Sequence, residues 1–162
     1  MSFSVHVATS VAAPTVVAIL QEAAAWCEAR GMPLWKANEL DPERLRAEVE
    51  QGLFYLVHEG TETLAVFKLQ DSDVLFWPDV PPEEALYVHR IAVKRRHAGR
   101  GLPAFLLDWC GERARARGCA FLRLDTEASR PKLRAIYEGL GFRLHSEREV
   151  GPYRVARYER PL

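Results

Sequence analysis

Hydrophobic side chains recur at helical spacing in four stretches of the chain. In the clearest stretch, apolar residues return after three, four, seven and eight positions: Leu102, Phe105, Leu106, Trp109 and Cys110. The pair Asp41-Pro42 is typical of a helix start, because the aspartate caps free N–H groups and proline suits the first turn. The pattern predicts helices over residues 10–30, 42–51, 102–117 and 131–140.

Shorter runs rich in β-branched and aromatic residues predict strands. The predicted strands cover residues 3–7, 53–58, 63–69, 86–93, 120–124, 142–146 and 153–158. The second and third strands form a hairpin, and segment 71–84, which contains three prolines, is predicted to be mostly loop. The order of elements indicates a single α/β domain over residues 1–162. We expect a mixed, mostly antiparallel sheet of about seven strands with about four helices.

Acidic and basic residues are unevenly distributed between the two halves of the chain. The chain has 162 residues, with 22 basic and 22 acidic side chains, so its net charge is zero. Residues 1–85 nevertheless carry a balance of −9 and residues 86–162 a balance of +9. The neutral total argues against a generic nucleic-acid binder, whose domain should be basic. An anionic ligand should prefer surfaces formed by the second half.

Composition excludes several other classes. The apolar runs are shorter than the roughly 18 residues that a membrane helix needs, and the N-terminal residues lack the layout of a signal peptide. The three cysteines, Cys27, Cys110 and Cys119, have no metal-binding spacing. We therefore expect a cytoplasmic protein with reduced thiols, no metal and no membrane partner.

The candidate site is a strand followed by a glycine-rich basic turn and a helix. Such a turn binds phosphates, since glycines admit the anion to the backbone and the helix start offers unpaired N–H groups. Four cations lie in the turn: Lys94, Arg95, Arg96 and Arg100. The third glycine of a dinucleotide fingerprint is absent, and so is the lysine motif of a P-loop. A tight, solvated turn is the alternative interpretation.

Two motifs at this separation resemble a known family. The first is Leu86-Tyr87-Val88-His89-Arg90-Ile91-Ala92-Val93 followed by Gly99-Arg100-Gly101-Leu102. The second runs from Lys132 to Phe142 and contains the signature Tyr-x-x-x-Gly-Phe. Together they resemble the coenzyme A-binding core of the GNAT superfamily of N-acetyltransferases. The resemblance implies that the strands over 86–93 and 120–124 splay apart.

The resemblance also implies where acetyl-coenzyme A binds. Pantetheine would pair with the backbone of Ile91, Ala92 and Val93. The family's turn motif matches either from Arg96 or, two residues later, from Ala98, and the helix pattern favours the later register. The pyrophosphate would then meet the turn and helix start, and Arg130 and Lys132 could meet a phosphate of the ligand. The residues of the turn assigned to the cofactor are Ala98, Gly99, Arg100, Gly101, Leu102 and Ala104.

By the same resemblance, Tyr137 is the general acid that protonates the leaving thiolate; packing in the core is its alternative role. His89 is the candidate base, because imidazole titrates near neutrality. A purely structural histidine, a water relay, or an amine arriving neutral are the alternatives. Asp125 could orient a group, or it caps the loop that follows.

Three aromatic residues in loops, Trp35, Phe76 and Trp77, are the candidate acceptor pocket. Neighbouring acids could attract a cationic amine: Glu39, Asp71, Asp73, Asp79, Glu83 and Glu84. The expected activity is acetyl transfer to a primary amine of a small molecule or peptide, with a homodimer as a possible assembly. Because Ala98 and Pro103 depart from the family pattern, a coenzyme A-binding module without catalysis is the alternative.

Overall fold

The computed structural model describes residues 2–162, and it confirms the α/β fold with seven strands and four helices over them. The strands are β1 Ser4–Val7, β2 Phe54–Glu59, β3 Glu62–Gln70, β4 Ala85–Val93, β5 Phe121–Glu127, β6 Arg143–Val150 and β7 Tyr153–Pro161. The helices are α1 Ala13–Ala29, α2 Pro42–Glu50, α3 Leu102–Ala116 and α4 Pro131–Gly139. Short 3-10 helices precede α1, α2 and α3. The order of elements is the predicted one.

The strands form one mixed sheet in the order β1-β2-β3-β4-β5-β7-β6. Strands β4 and β5 run parallel, whereas β1-β2, β2-β3, β5-β7 and β6-β7 are antiparallel pairs. The register between β4 and β5 covers Ala85–Tyr87 against Phe121–Arg123. The two strands thus pair at their starts, which agrees with the predicted splay. By its internal contacts the chain groups into two compact units.

The first unit comprises the residues up to 68 together with 90–106. Its core holds fully buried apolar residues of α1, α2 and β2, among them Leu20, Leu45 and Phe54. Segment Ser10–Ala29 is the one helix in the described chain that is long and apolar enough to cross a membrane. This is weak evidence for a span, since Val16 and Leu20 of that helix pack in the core, as in many soluble domains.

The second unit comprises residues 69–89 and 107–162. Two arginines are buried in it and paired with acids. Arg123 donates hydrogen bonds to Glu84 at 2.7 Å and Glu159 at 2.9 Å, and Arg157 donates to Asp79 at 2.7 Å. A buried charge is tolerated only when it is paired in this way. The cysteines at 27, 110 and 119 are free thiols, and burial raises the pKa of Cys110, which makes it an unreactive thiol.

Candidate active site

Strand β4 has an irregular backbone at its centre. Arg90 adopts φ 54, a left-handed conformation that a side chain larger than glycine rarely takes. Such strain in the middle of a strand is typical of functional sites. In the first unit, the Arg90 guanidinium lies 5.4 Å from the centre of the Trp35 ring. The backbone that follows it, Ile91 to Val93, is the segment predicted to bind pantetheine.

The glycine-rich turn follows β4 through a short 3-10 helix, Arg95–His97. Gly99 and Gly101 have φ values of 80 and 76, and a Cβ on either residue would meet no atom within 4 Å. The glycines are therefore needed for backbone conformation, and the space beside them is open. The N–H of Ala98 donates to the Arg95 carbonyl at 3.2 Å, so this predicted donor is used within the turn.

Helix α3 starts at Leu102, as the later register of the turn motif predicts. Its first N–H groups have no carbonyl one turn earlier to bind, which leaves those of Leu102 and Ala104 directed toward the helix start. Pro103 has no N–H to contribute. The macrodipole adds partial positive charge at the same end. The turn and helix start therefore suit an anion bound through backbone donors.

The basic side chains of the turn are held by acids of the β2-β3 hairpin. Arg100 donates to Glu59 at 2.7 Å, and Arg96 and His97 both contact Glu62, the latter at 3.1 Å. No local pattern in the sequence points to Glu59 and Glu62 as partners of the turn, because only the hairpin brings them there. Their carboxylates fix the turn and reduce the positive charge that its side chains present.

Arg95, the remaining arginine of the turn, packs on α1. Its guanidinium lies 3.8 Å from the centre of the Trp26 ring, and its backbone N–H donates to Glu22 at 2.8 Å. Stacking of this kind holds a cation over an aromatic face. These contacts anchor the start of the turn to α1.

Tyr137 lies on α4 in the second unit, and Gly141 ends that helix with φ 89. Phe142 follows and packs edge-on against the Tyr137 ring, with 6.2 Å between ring centres. The Tyr-x-x-x-Gly-Phe signature thus describes a helix end that fixes the tyrosine. Burial of the phenol and, to a smaller extent, the charge of Asp125 raise the pKa of Tyr137 to about 12. The phenol is therefore protonated at neutral pH.

His89 lies between two carboxylates of the same unit. Its Nε2 is 2.9 Å from Oδ2 of Asp73, and its Nδ1 is 3.9 Å from Oδ2 of Asp125. Asp73 also accepts a hydrogen bond from the Phe76 N–H at 3.0 Å, which fixes the loop before β4. Burial raises the pKa of Asp73, but His89 and backbone N–H groups outweigh burial and hold that pKa below its usual value.

The predicted pocket aromatics have different environments. Trp35 is half-buried against the core of the first unit. Trp77 is only 3% exposed, although a loop residue was expected to be exposed, because the guanidinium groups of Arg123 and Arg157 lie within 5 Å of its ring centre. Trp77 also lines a cleft of about 680 Å³ in the second unit. The Phe76 ring centre is 6.3 Å from that of His89.

Two further predicted phosphate ligands lie at the start of α4. Arg130 precedes the helix and donates to Glu127 at 3.2 Å, so its guanidinium already has an acidic partner. Lys132, in the first turn of α4, is exposed to solvent. Of the two, the lysine is the more accessible cation.

Known proteins are similar to this chain in both sequence and fold. Residues 20–142 match the profile of the acetyltransferase (GNAT) family. The N-acetyltransferase YesJ of Bacillus subtilis is 29% identical over 136 residues, which are 80% of this chain and 76% of that protein. An acetyltransferase of the GNAT family from Listeria monocytogenes superposes with a TM-score of 0.83 at 21% identity, covering 99% of this chain and 95% of that one.

A second solved structure of similar fold contains a cofactor. It is yncA of Salmonella typhimurium, a putative acetyltransferase with its cofactor acetyl-CoA. It has a TM-score of 0.72 at 15% identity, covering 100% of this chain and 95% of that one. The profile match extends over three quarters of the chain and includes β4, the glycine-rich turn and the tyrosine signature. The chain therefore belongs to the acetyltransferase (GNAT) family.

Proposed function

We propose that this protein transfers the acetyl group of acetyl-coenzyme A to a primary amine of a small molecule or peptide, by direct attack in a ternary complex. One observation carries the proposal: the strained strand β4 leads into two left-handed glycines and then into the start of α3, where the first N–H groups of a helix have no intrahelical acceptor. Backbone donors arranged in this way suit the pyrophosphate of a coenzyme. The family membership supplies the acyl transfer.

The cofactor would be held mainly by main-chain groups. Ile91, Ala92 and Val93 would pair with pantetheine, and a backbone N–H of this segment would stabilise the thioester oxyanion. The N–H groups from Gly99 to Leu102, together with that of Ala104, would bind the pyrophosphate. Lys132 and, if it leaves Glu127, Arg130 would meet a further phosphate.

Tyr137 would act on the leaving sulfur. With a pKa of about 12, its phenol keeps its proton at neutral pH and is available as a hydrogen-bond donor. A thiolate released from the thioester is an anion, and a hydrogen bond to an anion is stronger than one to a neutral group. The phenol would therefore stabilise the thiolate as the carbon–sulfur bond breaks.

His89 would take a proton from the acceptor. Imidazole is the side chain whose ordinary pKa suits this task near neutral pH, and the loop before β4 holds the ring in place through Asp73. Trp35, Phe76 and Trp77 are proposed to shape the acceptor pocket. The ring centre of Phe76 lies 6.3 Å from that of His89 in the second unit.

The test is a screen of primary amines with acetyl-coenzyme A, following free thiol and identifying the product by mass spectrometry. The panel contains polyamines, aminoglycosides, amino acids and peptides with free N-termini. We expect amine-dependent thiol release and an acetylated product with at least one of these classes. Tight acetyl-coenzyme A binding in calorimetry without turnover of any amine would favour the inactive coenzyme A-binding module.

Two further proposals concern the cellular location and the oligomeric state of the enzyme. The free thiols are consistent with action in the cytoplasm. A homodimer is also proposed, and sedimentation analysis at several protein concentrations tests it: a single species with the mass of one chain throughout would rule it out.

A further inference from the structure

The cluster around His89 has the features of a cation site. It comprises Asp73 from the loop before β4, His89 from β4 and Asp125 from β5, all in the second unit. One ligand atom from each residue lies within 4.8 Å of the other two. The side chains are 7%, 16% and 10% exposed, respectively. Three chemically suitable groups therefore converge at a largely buried place.

The charges of the cluster are unbalanced. Two carboxylates and one imidazole carry a formal charge of −2 when the imidazole is neutral and −1 when it is protonated. A buried net charge is unfavourable, whereas a cation placed among the carboxylates would offset it. The three groups by themselves therefore favour a positively charged occupant.

The contact between Asp73 and His89 leaves capacity for such an occupant. Oδ2 of Asp73 and Nε2 of His89 are 2.9 Å apart, but neither buried atom makes a well-directed hydrogen bond within the described residues. The other oxygen of Asp73 is used, since it accepts from the Phe76 N–H. A carboxylate that is more than nine-tenths buried thus directs one oxygen into the cluster without a good donor.

We infer that Asp73, His89 and Asp125 form the subsite that binds the acceptor as a primary alkylammonium ion. This inference rests on the proposed function for its chemistry and extends it to the charge state of the acceptor. An ammonium group has three N–H donors and no acceptor, which matches two carboxylates and one basic nitrogen.

The proton balance follows from this arrangement. The bound ammonium gives one proton to the imidazole of His89 and becomes a neutral amine. Its lone pair attacks the thioester carbon, a carbon–nitrogen bond forms, and the carbon–sulfur bond then breaks. The nitrogen loses a second proton to solvent, while the thiolate, stabilised by a hydrogen bond from Tyr137, takes up a proton from solvent. His89 then returns its proton to solvent, so one proton is released for each amide formed.

Binding can be tested without knowing the natural acceptor. The probe is n-butylammonium chloride, with potassium chloride at equal concentration as the ionic-strength control and 1-butanol as the neutral control. A ligand that binds the folded state raises the melting temperature. We expect n-butylammonium, unlike the two controls, to raise it in the wild-type protein. A wild-type melting temperature that is the same in all three solutions would overturn the inference.

Charge-neutral variants locate the effect. Asp125→Asn and Asp73→Asn should each abolish the n-butylammonium shift. Glu112→Gln is the matched control, because this glutamate lies on α3 in the same unit, is largely exposed and contacts Arg115 at 3.0 Å. It should keep the wild-type shift. A shift that persists in both cluster variants would refute the assignment, and circular dichroism verifies that each variant folds.

Kinetics separate this inference from the proposed function. For an amine that the wild type acetylates, Asp125→Asn should raise KM by roughly tenfold or more, as expected for the loss of a charged hydrogen bond. Turnover with unchanged KM in both cluster variants would defeat the subsite and leave the proposed function standing. A melting-temperature shift with n-butylammonium, without turnover of any amine, would support the subsite and contradict the proposed acetyl transfer.

A resident metal ion is the competing occupant, since two carboxylates and a histidine could also hold one. Elemental analysis of the purified protein distinguishes the two. One equivalent of a divalent metal that Asp73→Asn and Asp125→Asn both lose would overturn the ammonium assignment. Less than a tenth of an equivalent, with the n-butylammonium shift present, would support it.

Discussion

Replacing Tyr137 by phenylalanine removes the proposed hydrogen bond to the leaving sulfur and little else. The ring can keep its edge-on contact with Phe142, because the substitution deletes only the hydroxyl group. We therefore expect the variant to fold and to bind acetyl-coenzyme A with nearly wild-type affinity. Turnover should fall, since the thiolate loses a donor.

The size of the effect follows from the environment of the phenol. Its pKa of about 12 is higher than that of an ordinary alkyl thiol, for which about 8.5 is a guide. Complete proton transfer from phenol to thiolate is therefore uphill by about 5 kcal/mol. The contribution is then mainly that of a hydrogen bond to a charged group, about 1.5–3 kcal/mol. This predicts a kcat roughly 10- to 150-fold lower in Tyr137→Phe.

The assay compares kcat and the acetyl-coenzyme A dissociation constant for the wild type, Tyr137→Phe and the control Tyr153→Phe. The control removes the same hydroxyl from the start of β7 in the same unit. It should retain wild-type turnover. A less than threefold loss in Tyr137→Phe would remove Tyr137 from the acid role. An equal loss of turnover in both variants would indicate that the loss comes from a disturbed fold and not from the proposed hydrogen bond.

The same phenol has a signature in alkaline stability. Because its pKa is raised from 10 to about 12 on folding, its stabilising contribution is complete below about pH 10 and is lost as the pH rises toward 12. The full loss amounts to about 3 kcal/mol. Tyr137→Phe should lack this loss in urea unfolding at pH 9 to 11. An alkaline decline identical to that of the wild type would contradict the burial of the phenol.

Three further substitutions test the turn and the ion pairs. Gly101→Ala should lower the free energy of unfolding by about 1–2 kcal/mol and weaken acetyl-coenzyme A binding in calorimetry, because Gly101 has a left-handed φ of 76. The control Gly60→Ala, at φ 60, should lower stability by a similar amount without weakening binding. Hydrogen bonds from Arg157 lower the pKa of Asp79 to about 2, so the stabilisation from this ion pair is present above pH 4 and is lost as the pH falls toward 2. In Asp79→Asn, the free energy of unfolding should therefore depend less on pH between 4 and 2. Arg123→Met should cost about 3–5 kcal/mol in urea unfolding, since it leaves two glutamates without their buried partner.

The periodicity of apolar residues was sufficient to predict the elements of the fold, and it was least accurate where polar residues form strands. Strand β5 extends to Glu127, beyond the predicted end at residue 124. Its last residues are polar, but they pair with β7, where Glu127 lies opposite Val155. Strand β6 likewise reaches Val150 on largely exposed residues at the sheet edge. Ladder hydrogen bonds decide these ends, and they leave no local pattern in the sequence.

The sequence alone was sufficient to predict only those parts of the candidate site that form a local pattern. The glycine-rich turn and the tyrosine signature are local, so their residues stand together in the chain. The cluster around His89 is not local, because Asp73 and Asp125 precede and follow it by more than a dozen residues. The sequence predicts that Asp73 could attract a cationic amine and that Asp125 could orient a group or cap a loop. Only the folded second unit brings both carboxylates within 4 Å of the imidazole.

The charge division of the chain has a local meaning in the first unit. Arg96 and Arg100 belong to the basic half of the sequence, yet Glu62 and Glu59 of the acidic half pair with them at the turn. The opposed halves therefore neutralise each other where an anionic ligand was expected to find free cations. In the proposed cofactor site, attraction of a pyrophosphate would then fall to main-chain N–H groups and the α3 dipole, which no count of charged residues registers. A site of that kind would bind phosphate in a protein of zero net charge without a basic surface that binds polyanions indiscriminately.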